Sequence, residues 1–249
     1  MPRGYPDDNI QSSPLGQTVA DNAELAARLG SLSTVQRSGQ VVYMTKFANG
    51  NLDWLVDEGG NGRVRTLANA GHLDTTCLSL WSGSGAGDYA HIQKILPLVD
   101  FAKGGCEFYL DFPYPGVLLH QHLTMTVKLN HGGYNHFFAV DFIPIDNQIV
   151  LQTYNQAGAA DYQTIDVGYD LSSATYVNLW HYVKLTFDGH NNKWGILYFN
   201  NLALNLSSYY GTQAAASYGG YFSVVFSLPY EHTSYYTRLG SFMVTMNEP

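Results

Sequence analysis

Two carboxylates in the segment CEFYLDF (106–112) are the first residues of this chain that could carry acid–base chemistry. Cleavage of a glycosidic bond needs two carboxyl groups that face one cleft, about 5 to 10 Å apart. Glu107 and Asp111 are four positions apart in a predicted strand, so they share a face but stand roughly 13 Å apart along it. No glutamate is paired with another carboxylate in the required spacing; the five are Glu24, Glu58, Glu107, Glu231 and Glu248. We therefore predict that the protein is not an enzyme and has no catalytic residue.

Histidines are the second group that could carry chemistry. His120 and His122 are two positions apart on one face of a predicted strand, and His131 and His136 follow in HGGYNH. Imidazoles at this spacing can bind zinc or copper. However, no Cys or carboxylate is interleaved to complete a tetrahedral set, and histidine also suits half-exposed strands. We predict no metal ion and no cofactor.

Two glycine-rich strings, EGGNG at 58–62 and SGSGAG at 82–87, superficially look like phosphate-binding loops. A phosphate loop joins a strand to a helix whose N-terminus faces the anion, whereas both strings lie between predicted strands. No Gly-x-Ser-x-Gly motif precedes a helix, so Ser–His–Asp catalysis has no support either. We interpret both strings as turns.

Aromatic residues dominate two segments near the C-terminus, 206–222 and 229–236, which carry few charges. Loops longer than about 12 to 15 residues in compact domains are usually functional or disordered, and the tyrosine density favours function. Three roles remain open: a subunit interface, a cover over the open end of the fold, and a platform for sugar rings. The candidate interface or glycan-binding residues are Tyr209, Tyr210, Tyr218, Tyr221, Tyr235 and Tyr236.

The segment 180–201, WHYVKLTFDGHNNKWGILYFNN, indicates which elements position these side chains. Val183, Leu185 and Phe187 alternate with polar neighbours, and the alternation resumes after the turn residues GHNN. Alternation with period two indicates strands, and the glycine and asparagines supply turn chemistry. The segment is therefore a predicted β-hairpin with one face in a core.

Similar segments recur about every eight to twelve residues from Gln40 onward, which is the spacing of a β-sandwich. The predicted fold is all-β, with two antiparallel sheets. Cys77 and Cys106 lie in different predicted strands; they form a disulfide if their Cα atoms are within about 7 Å, or remain buried thiols. The predicted strands are 41–47, 53–57, 63–67, 75–81, 89–96, 106–112, 123–129, 136–144, 148–153, 162–167, 180–188, 194–200, 221–228 and 235–246.

The hairpin opens on Trp, ends its first strand on Asp and closes on Asn-Asn, and in this it resembles the hairpin of laminin-G-like and concanavalin-like jelly rolls. The segment VVYMTKFANGNLDW (41–54) resembles the opening of such modules, and RLGSFMVTM (238–246) resembles their closing strand. The resemblance implies that the two ends pair in one sheet and that residues 40–249 form one β-sandwich domain. Proteins of this fold bind glycans, mediate adhesion, form virion surfaces or, in some cases, hydrolyse glycosides.

The first 39 residues have a different pattern. Residues 1–18 are rich in Pro, Gly, Asp and Ser without a hydrophobic period, which is typical of an extended arm. Asp21 and Glu24 form a capping-box-like pair, and Gly30 is placed to end a helix. The segment ELAARLGS is similar to the leader of structural proteins from tailed phages. We predict an extended arm and a short helix over residues 1–39, both used in assembly.

Composition limits the partners of the protein. The net charge is −8 with only 12 Lys and Arg residues, which argues against a nucleic-acid partner because such a surface needs clustered basic residues. No apolar run is long enough for a membrane span. Charged residues are only 13% of the chain whereas tyrosines number 19, a composition that suits contact surfaces.

The predicted function is that of a non-enzymatic structural or assembly protein. The expected setting is a virion, as a decoration or capsid-associated protein, or another extracellular assembly. Its expected partners are further copies of the chain, as a homo-oligomer, or capsid proteins. The alternative is a carbohydrate-binding, lectin-like module whose partners are glycans.

Deletion of residues 1–32 tests the role of the arm. We expect the truncated chain to fold but to be a monomer, because the arm is the segment predicted to cross to a second subunit. Light scattering on both proteins measures their mass in solution. Assembly of the truncated chain to the same state as the full chain would contradict this prediction.

Overall fold

The computed structural model describes residues 40–47, 53–71, 76–97, 102–113, 122–154, 160–166, 171–173, 179–215, 221–229 and 235–248. These residues form two β-sheets packed as a sandwich, so the predicted all-β fold is confirmed. The arm and the helix predicted over residues 1–39 lie outside the described residues. Within the described ranges, no helix is both long and apolar enough to cross a membrane.

The strands are numbered in chain order, and a 3-10 helix at Pro144–Asp146 separates the eighth from the ninth. They are β1 (Gln40–Thr45), β2 (Leu55–Gly59), β3 (Arg63–Leu67), β4 (Cys77–Trp81), β5 (Tyr89–Leu96), β6 (Lys103–Pro113), β7 (Leu123–His131), β8 (Tyr134–Ile143), β9 (Gln148–Tyr154), β10 (Ala160–Asp166), β11 (Ser172–Ser173), β12 (His181–Asp188), β13 (Lys193–Phe199), β14 (Leu202–Asn205), β15 (Thr212–Ala215), β16 (Phe222–Pro229) and β17 (Tyr236–Met246).

The nine-stranded sheet has the order β14-β13-β12-β6-β17-β4-β3, with β1 beside β17 and β11 beside β6. The eight-stranded sheet has the order β10-β9-β8-β7-β16-β5-β2, with β15 beside β8. The short β11–β6 ladder is parallel. Gln40 of β1 lies opposite Met246 of β17. The expected pairing of the opening and closing strands of the sandwich is therefore confirmed.

Aromatic rings fill the space between the two sheets. Phe187 of β12 stacks on Phe138 of β8 with ring centroids 5.5 Å apart, and Trp194 of β13 meets Phe138 edge-on at 5.3 Å. Phe108 of β6 meets Phe226 of β16 edge-on at 5.2 Å. Offset-stacked and edge-on pairs are the favourable arrangements of aromatic rings, so these contacts stabilise the packing of one sheet on the other.

Strands β3 and β5 have the bounds that alternation predicts, whereas β11, β14 and β15 are not among the predicted strands. The error matters most for β15, because it lies inside the segment 206–222 that was expected to be one long loop. In β15, Thr212 pairs with Phe137 of β8. Three of its four residues are exposed, so packing imposes no apolar alternation on this edge strand. The aromatic segment is therefore divided into two shorter connections.

The predicted hairpin is formed by β12 and β13, and Val183, Leu185 and Phe187 belong to the core as expected. The opposite face of β12 is nevertheless not open to solvent. Lys184 on that face is 1% exposed, and Tyr182 is 8% exposed. The alternation in the sequence therefore identified which face of β12 packs in the core. It did not indicate that the opposite face of β12 is buried as well.

Cys77 and Cys106 are buried free thiols, so the possible disulfide between them is not formed. Strand β17 lies between β4, which carries Cys77, and β6, which carries Cys106. Two strand spacings amount to about 9 to 10 Å, which exceeds the Cα separation of about 7 Å that a disulfide can bridge. Burial raises the pKa of the Cys77 thiol to about 11 and that of Cys106 well above its ordinary value. Both residues are small apolar groups of the core.

Both glycine-rich strings join strand to strand, as predicted, and their turns contact each other through Asp88. The Asp88 carboxylate accepts hydrogen bonds from the amides of Ser84 and Gly85 at 2.9 and 2.7 Å. Gly60, with a φ of +58°, packs so closely on Asp88 that a Cβ atom at this position would overlap the carboxylate. Asp88 therefore holds the turn that leads into β3.

The Phe187→Ala substitution tests the contribution of cross-sheet packing. We expect the unfolding free energy to fall by about 3 to 5 kcal/mol, because a buried ring is removed and a cavity remains. The matched control is Tyr162→Ala, since Tyr162 is 63% exposed and its removal should cost within about 0.5 kcal/mol. Urea denaturation of both variants measures the difference. Equal destabilisation would contradict the role of Phe187.

Candidate functional site

The side of the nine-stranded sheet that faces away from the core carries a continuous set of polar and aromatic side chains, which we call the polar face. Residues directly opposite each other in an antiparallel ladder project from the same side of the sheet. The strand pairs therefore arrange these side chains in rows across β3, β4, β17, β6, β12 and β13. The rows are Arg63–Trp81–Tyr236, Arg65–Ser79–Arg238–Asp111, Tyr109–Tyr182 and Met243–Glu107–Lys184–Tyr198.

Trp81 and Tyr236 form an aromatic platform at one end of the polar face. Their rings stack with centroids 4.6 Å apart and an interplanar angle of 15°. Trp81 is 38% exposed, and the guanidinium of Arg238 lies 5.5 Å from the centre of the Tyr236 ring. A half-exposed aromatic pair offers a flat apolar surface with a polar edge. The platform can therefore stack against a ligand ring that has one apolar face.

Three arginines border the aromatic platform. Arg63 lies opposite Trp81, and Arg65 lies opposite Ser79, which is itself opposite Arg238. Arg63 and Arg65 are exposed. These residues are three of only 12 basic residues in a chain of net charge −8, so they concentrate positive charge locally. A guanidinium binds carboxylates and other oxyanions with two parallel hydrogen bonds.

Arg238 is oriented by an ion pair with Asp111. The Nη1 atom of Arg238 lies 3.3 Å from Oδ2 of Asp111, whose side chain is 1% exposed. Burial raises the pKa of the Asp111 carboxyl to about 7, although Arg238 partly offsets the effect. Since Arg238 contacts Asp111 as well as the Tyr236 ring, its side chain is held in one position beside the platform.

A second buried ion cluster lies further along the polar face. The Nζ atom of Lys184 is 3.0 Å from Glu248 and 4.0 Å from Glu107. The hydroxyl of Thr245 donates to Glu248 at 2.5 Å. Burial raises the pKa of Glu107 to about 7, and the nearby Glu248 carboxylate acts in the same direction against the effect of Lys184. One ammonium group thus faces two carboxyls, and the raised pKa favours a proton on Glu107.

Aromatic side chains connect the platform to this cluster. The rings of Tyr109 and Tyr182 meet edge-on with centroids 6.0 Å apart. Gly240 lies beneath them, and a Cβ atom there would be 2.9 Å from Tyr109 and 3.4 Å from the Trp180 ring. The missing side chain at Gly240 therefore lets Trp180 pack close to the sheet beside Tyr109.

Ser79 Oγ on the polar face and Trp180 Nε1 beside it are buried polar atoms without a hydrogen-bond partner among the described residues. Most buried polar atoms in native proteins are hydrogen-bonded, and an exception requires a water molecule, an ion or a functional reason. Ser79 lies opposite Arg238, in the row next to the aromatic platform, whereas Trp180 packs beside Gly240. Ordered water is the usual partner of such buried atoms.

A cavity of about 280 Å³ lies at the opposite end of the polar face. Lys103, Thr186 and Glu248 line it, together with Asp188 and Lys193 from the β12–β13 turn. From Asp111 to Gly105 along β6, the polar face extends about 20 Å at 3.3 Å per residue. The side chains of Glu107, Asp111 and Lys184 between the two ends are buried, so this middle part offers no open surface to a ligand.

The six tyrosines selected from the sequence do not form one cluster. Tyr209 packs against the core, and the Tyr210 ring lies 5.0 Å from the Lys193 ammonium. The hydroxyl of Tyr221 accepts a hydrogen bond from Lys128 at 2.6 Å. Tyr209 and Tyr210 thus lie on the β13 side, and Tyr221 contacts β7 in the other sheet.

Tyr235 and Tyr236 are adjacent in sequence but project to opposite sides of the sheet. Tyr235 is 1% exposed, and its hydroxyl donates to the carbonyl of Pro229 at 2.8 Å. Burial therefore removes Tyr235 from the residues that a partner could contact in the folded chain. Tyr236 lies on the polar face. Tyr218 lies outside the described residues.

Glu107 and Asp111 share the polar face, as predicted, but each is tied to its own cation. His131 and His136 are close together, with His136 Nε2 3.4 Å from the His131 carbonyl. His122 has a different environment, since its backbone carbonyl faces the Tyr235 hydroxyl at 3.3 Å. His120 lies outside the described residues.

Sequence reasoning missed Trp81, Arg63 and Arg65. The available signal was the alternation within CLSLW and RVRTL, which separates Ser79 and Trp81 from the core leucines and separates the arginines from Val64. This alternation does not tell which strands are neighbours. Only the pairing of β3, β4 and β17 assembles the platform and its arginines.

No family model matches the chain, and no curated protein matches it by sequence. Solved structures do match its fold. An endo-β-1,4-glucuronan lyase from the fungus Trichoderma reesei aligns over 84% of this chain and 96% of its own, with 12% identity and a TM-score of 0.59. A carbohydrate esterase from the Shiga toxin-encoding bacteriophage phi24B aligns over 84% of this chain and 100% of its own, with 12% identity and a TM-score of 0.50.

At this level of identity the similarity shows the fold alone. The chain is a two-sheet β-sandwich of the kind that those two carbohydrate-active proteins contain, which agrees with the jelly-roll architecture that the hairpin implied.

The raised pKa values predict how stability depends on pH. The folded protein retains the Glu107 and Asp111 protons up to about pH 7, whereas the unfolded chain releases them near about pH 4. Between these values the folded state binds more protons, so the unfolding free energy should fall as pH rises from 5 to 7. Each of the two carboxyl groups should contribute a decrease of about 1 kcal/mol per pH unit.

Urea denaturation at several pH values measures this dependence. The Glu107→Gln variant should lose roughly half of the slope, since Asp111 still titrates in the same range. Glu58→Gln, which changes an exposed glutamate, is the control and should keep the wild-type slope. An unchanged slope in Glu107→Gln would show that Glu107 does not titrate as described.

Proposed function

We propose that the protein binds an anionic carbohydrate chain on the polar face of its nine-stranded sheet. The observation that carries this proposal is the aromatic platform of Trp81 and Tyr236, bordered on the same face by Arg63, Arg65 and Arg238. This role is the carbohydrate-binding alternative that the sequence left open. Tyr236 is the one residue of the aromatic platform that is also among the six tyrosines predicted from the sequence.

The platform favours a sugar ring over other ligands. Pyranose rings have one face of C–H groups and a rim of hydroxyls, so they match an exposed aromatic surface that is surrounded by hydrogen-bonding groups. Trp81 provides this surface, and the exposed Arg63 and Arg65 supply hydrogen-bond donors beside it.

The three arginines favour an acidic sugar. Arg63 and Arg65 are exposed on an otherwise acidic protein, and Arg238 is held beside Tyr236 by Asp111. Uronate carboxylates match the two-donor geometry of a guanidinium. The fold similarity to a glucuronan lyase is compatible with such a ligand, although the proposal depends on the platform and on its arginines.

The buried carboxyls support binding rather than hydrolysis. Glu107 lies beside Lys184, and Asp111 is paired with Arg238. Both side chains are almost fully buried. A hydrolytic pair would need to face the scissile bond from one cleft. We therefore propose a non-enzymatic role.

The assembly role in a virion or another extracellular structure remains a prediction. Its key element, the arm, lies outside the described residues. Glycan binding at a virion or cell surface is compatible with such a setting, since the platform residues belong to strands of the sandwich. The deletion of residues 1–32 should therefore leave glycan binding unchanged.

The Trp81→Ala substitution tests the platform. We expect it to weaken binding of a glucuronan hexasaccharide by about 1 to 3 kcal/mol, roughly ten- to hundredfold, because a central aromatic contact is lost. Arg65→Gln should weaken binding of this acidic ligand without affecting folding. Isothermal titration calorimetry gives the affinities, and circular dichroism verifies the fold.

Tyr162→Ala is the matched control, since it removes an exposed aromatic residue from the other sheet. A neutral cellohexaose of the same length tests the contribution of charge. Equal affinity of wild type and Trp81→Ala would exclude the platform as the site, and equal affinity for both sugars would exclude the role of the arginines. Release of unsaturated or newly reducing ends during incubation would overturn the non-enzymatic role.

A further inference from the structure

Two histidines that are 59 positions apart in sequence meet at one end of the sandwich. His131 ends β7 in the eight-stranded sheet, and His190 lies in the turn between β12 and β13 of the nine-stranded sheet. The Nε2 atom of His131 is 3.2 Å from the Nδ1 atom of His190. The ring centroids are 5.3 Å apart with an interplanar angle of 60°. Neither residue belongs to the polar face.

The distance of 3.2 Å between the two nitrogen atoms suits two imidazoles that bind one metal ion. Zinc binds imidazole nitrogens at about 2.0 to 2.1 Å with tetrahedral angles, which places two ligand nitrogens about 3.3 to 3.4 Å apart. The same distance also suits a hydrogen bond in which one neutral ring donates to the other. When a metal ion replaces that hydrogen bond, the donating ring moves its proton to its other nitrogen, so both rings bind as neutral ligands.

The turn that carries His190 is held rigidly. Both carboxylate oxygens of Asp188 accept hydrogen bonds from Asn191, from its amide at 3.1 Å and from its side chain at 2.8 Å. The amide of Gly189 donates to the carbonyl of Ala102 at 2.6 Å. The backbone of His190 can therefore stay in place while its ring turns to bind an ion, and preorganised ligands bind metal ions more tightly.

The element that carries His131 is tied to the same turn. His136 of β8 is bonded through Nδ1 to the side chain of Asn192 at 3.0 Å, and its Nε2 lies 3.4 Å from the carbonyl of His131. The side chain of Asn192 also donates to the carbonyl of Gly211 at 2.6 Å. His136 thus fixes the position of the β7–β8 hairpin relative to the β12–β13 turn.

We propose that His131 and His190 bind one divalent transition-metal ion of the zinc and copper class, which links the two sheets at this end of the sandwich. Imidazole is a preferred ligand of zinc, copper and nickel. The described residues contain no group of three or more His, Cys, Asp and Glu side chains that could hold a metal ion, so water completes the coordination. Copper should bind more tightly than nickel or zinc at such a site.

Calorimetric titration of the full chain, purified without a histidine tag, with zinc chloride tests the proposal. We expect saturable binding of one ion per chain and a higher melting temperature with zinc, because the ion binds the folded state. His131→Gln and His190→Gln should each weaken binding about a hundredfold, since two ligands held together act as a chelate. Both residues lie at the surface, and circular dichroism verifies that the variants fold.

The matched control is His91→Gln, which removes a half-exposed histidine of β5 that contacts Ser227. This variant should bind zinc as the wild type does. The proposal is wrong if wild-type protein does not bind zinc at a single saturable site. It is equally wrong if both folded variants, His131→Gln and His190→Gln, bind zinc with wild-type affinity. Glycan affinity should not change with zinc, so this test is independent of the proposed function.

Discussion

Each central strand of the nine-stranded sheet has to place every second side chain in the core between the sheets. The intervening residues are then forced onto the opposite side, and strand pairing arranges them in rows. Leu78 and Leu80 are fully buried in the core, so Ser79 and Trp81 must lie on the polar face. The platform, its arginines and the buried carboxyls all depend on this one constraint.

The polar face contains charges whose burial is costly. Removing an ionised group from water is unfavourable unless a counter-ion and hydrogen bonds replace the lost solvation. Lys184 has Glu248 and Glu107 beside it, and Arg238 is paired with Asp111. The raised pKa values of Glu107 and Asp111 show that this compensation is incomplete.

The two proposed sites use different parts of the same scaffold. The glycan surface lies on the side of one sheet, where extended strands offer a flat area with regularly spaced side chains. The histidine pair lies at an end of the sandwich, where turns from both sheets meet. Turns tolerate polar residues and can be fixed by their own hydrogen bonds, as Asp188 fixes the β12–β13 turn. A ligand at either site can therefore bind without disturbing the core.

The amino-acid sequence by itself determined most of the strands, the hairpin at β12–β13 and the all-β class, because alternation and turn residues are local signals. It also placed Glu107 and Asp111 on one face, since both lie on one strand. Edge strand β15 escaped detection, because exposed residues need no apolar alternation. Only the tertiary structure decided which strands are neighbours. That choice separates Cys77 from Cys106 by β17, brings Arg65 beside Ser79 and Arg238, and joins His131 to His190 across 59 positions. Strand order depends on the burial of all apolar faces at once, and no local pattern encodes it.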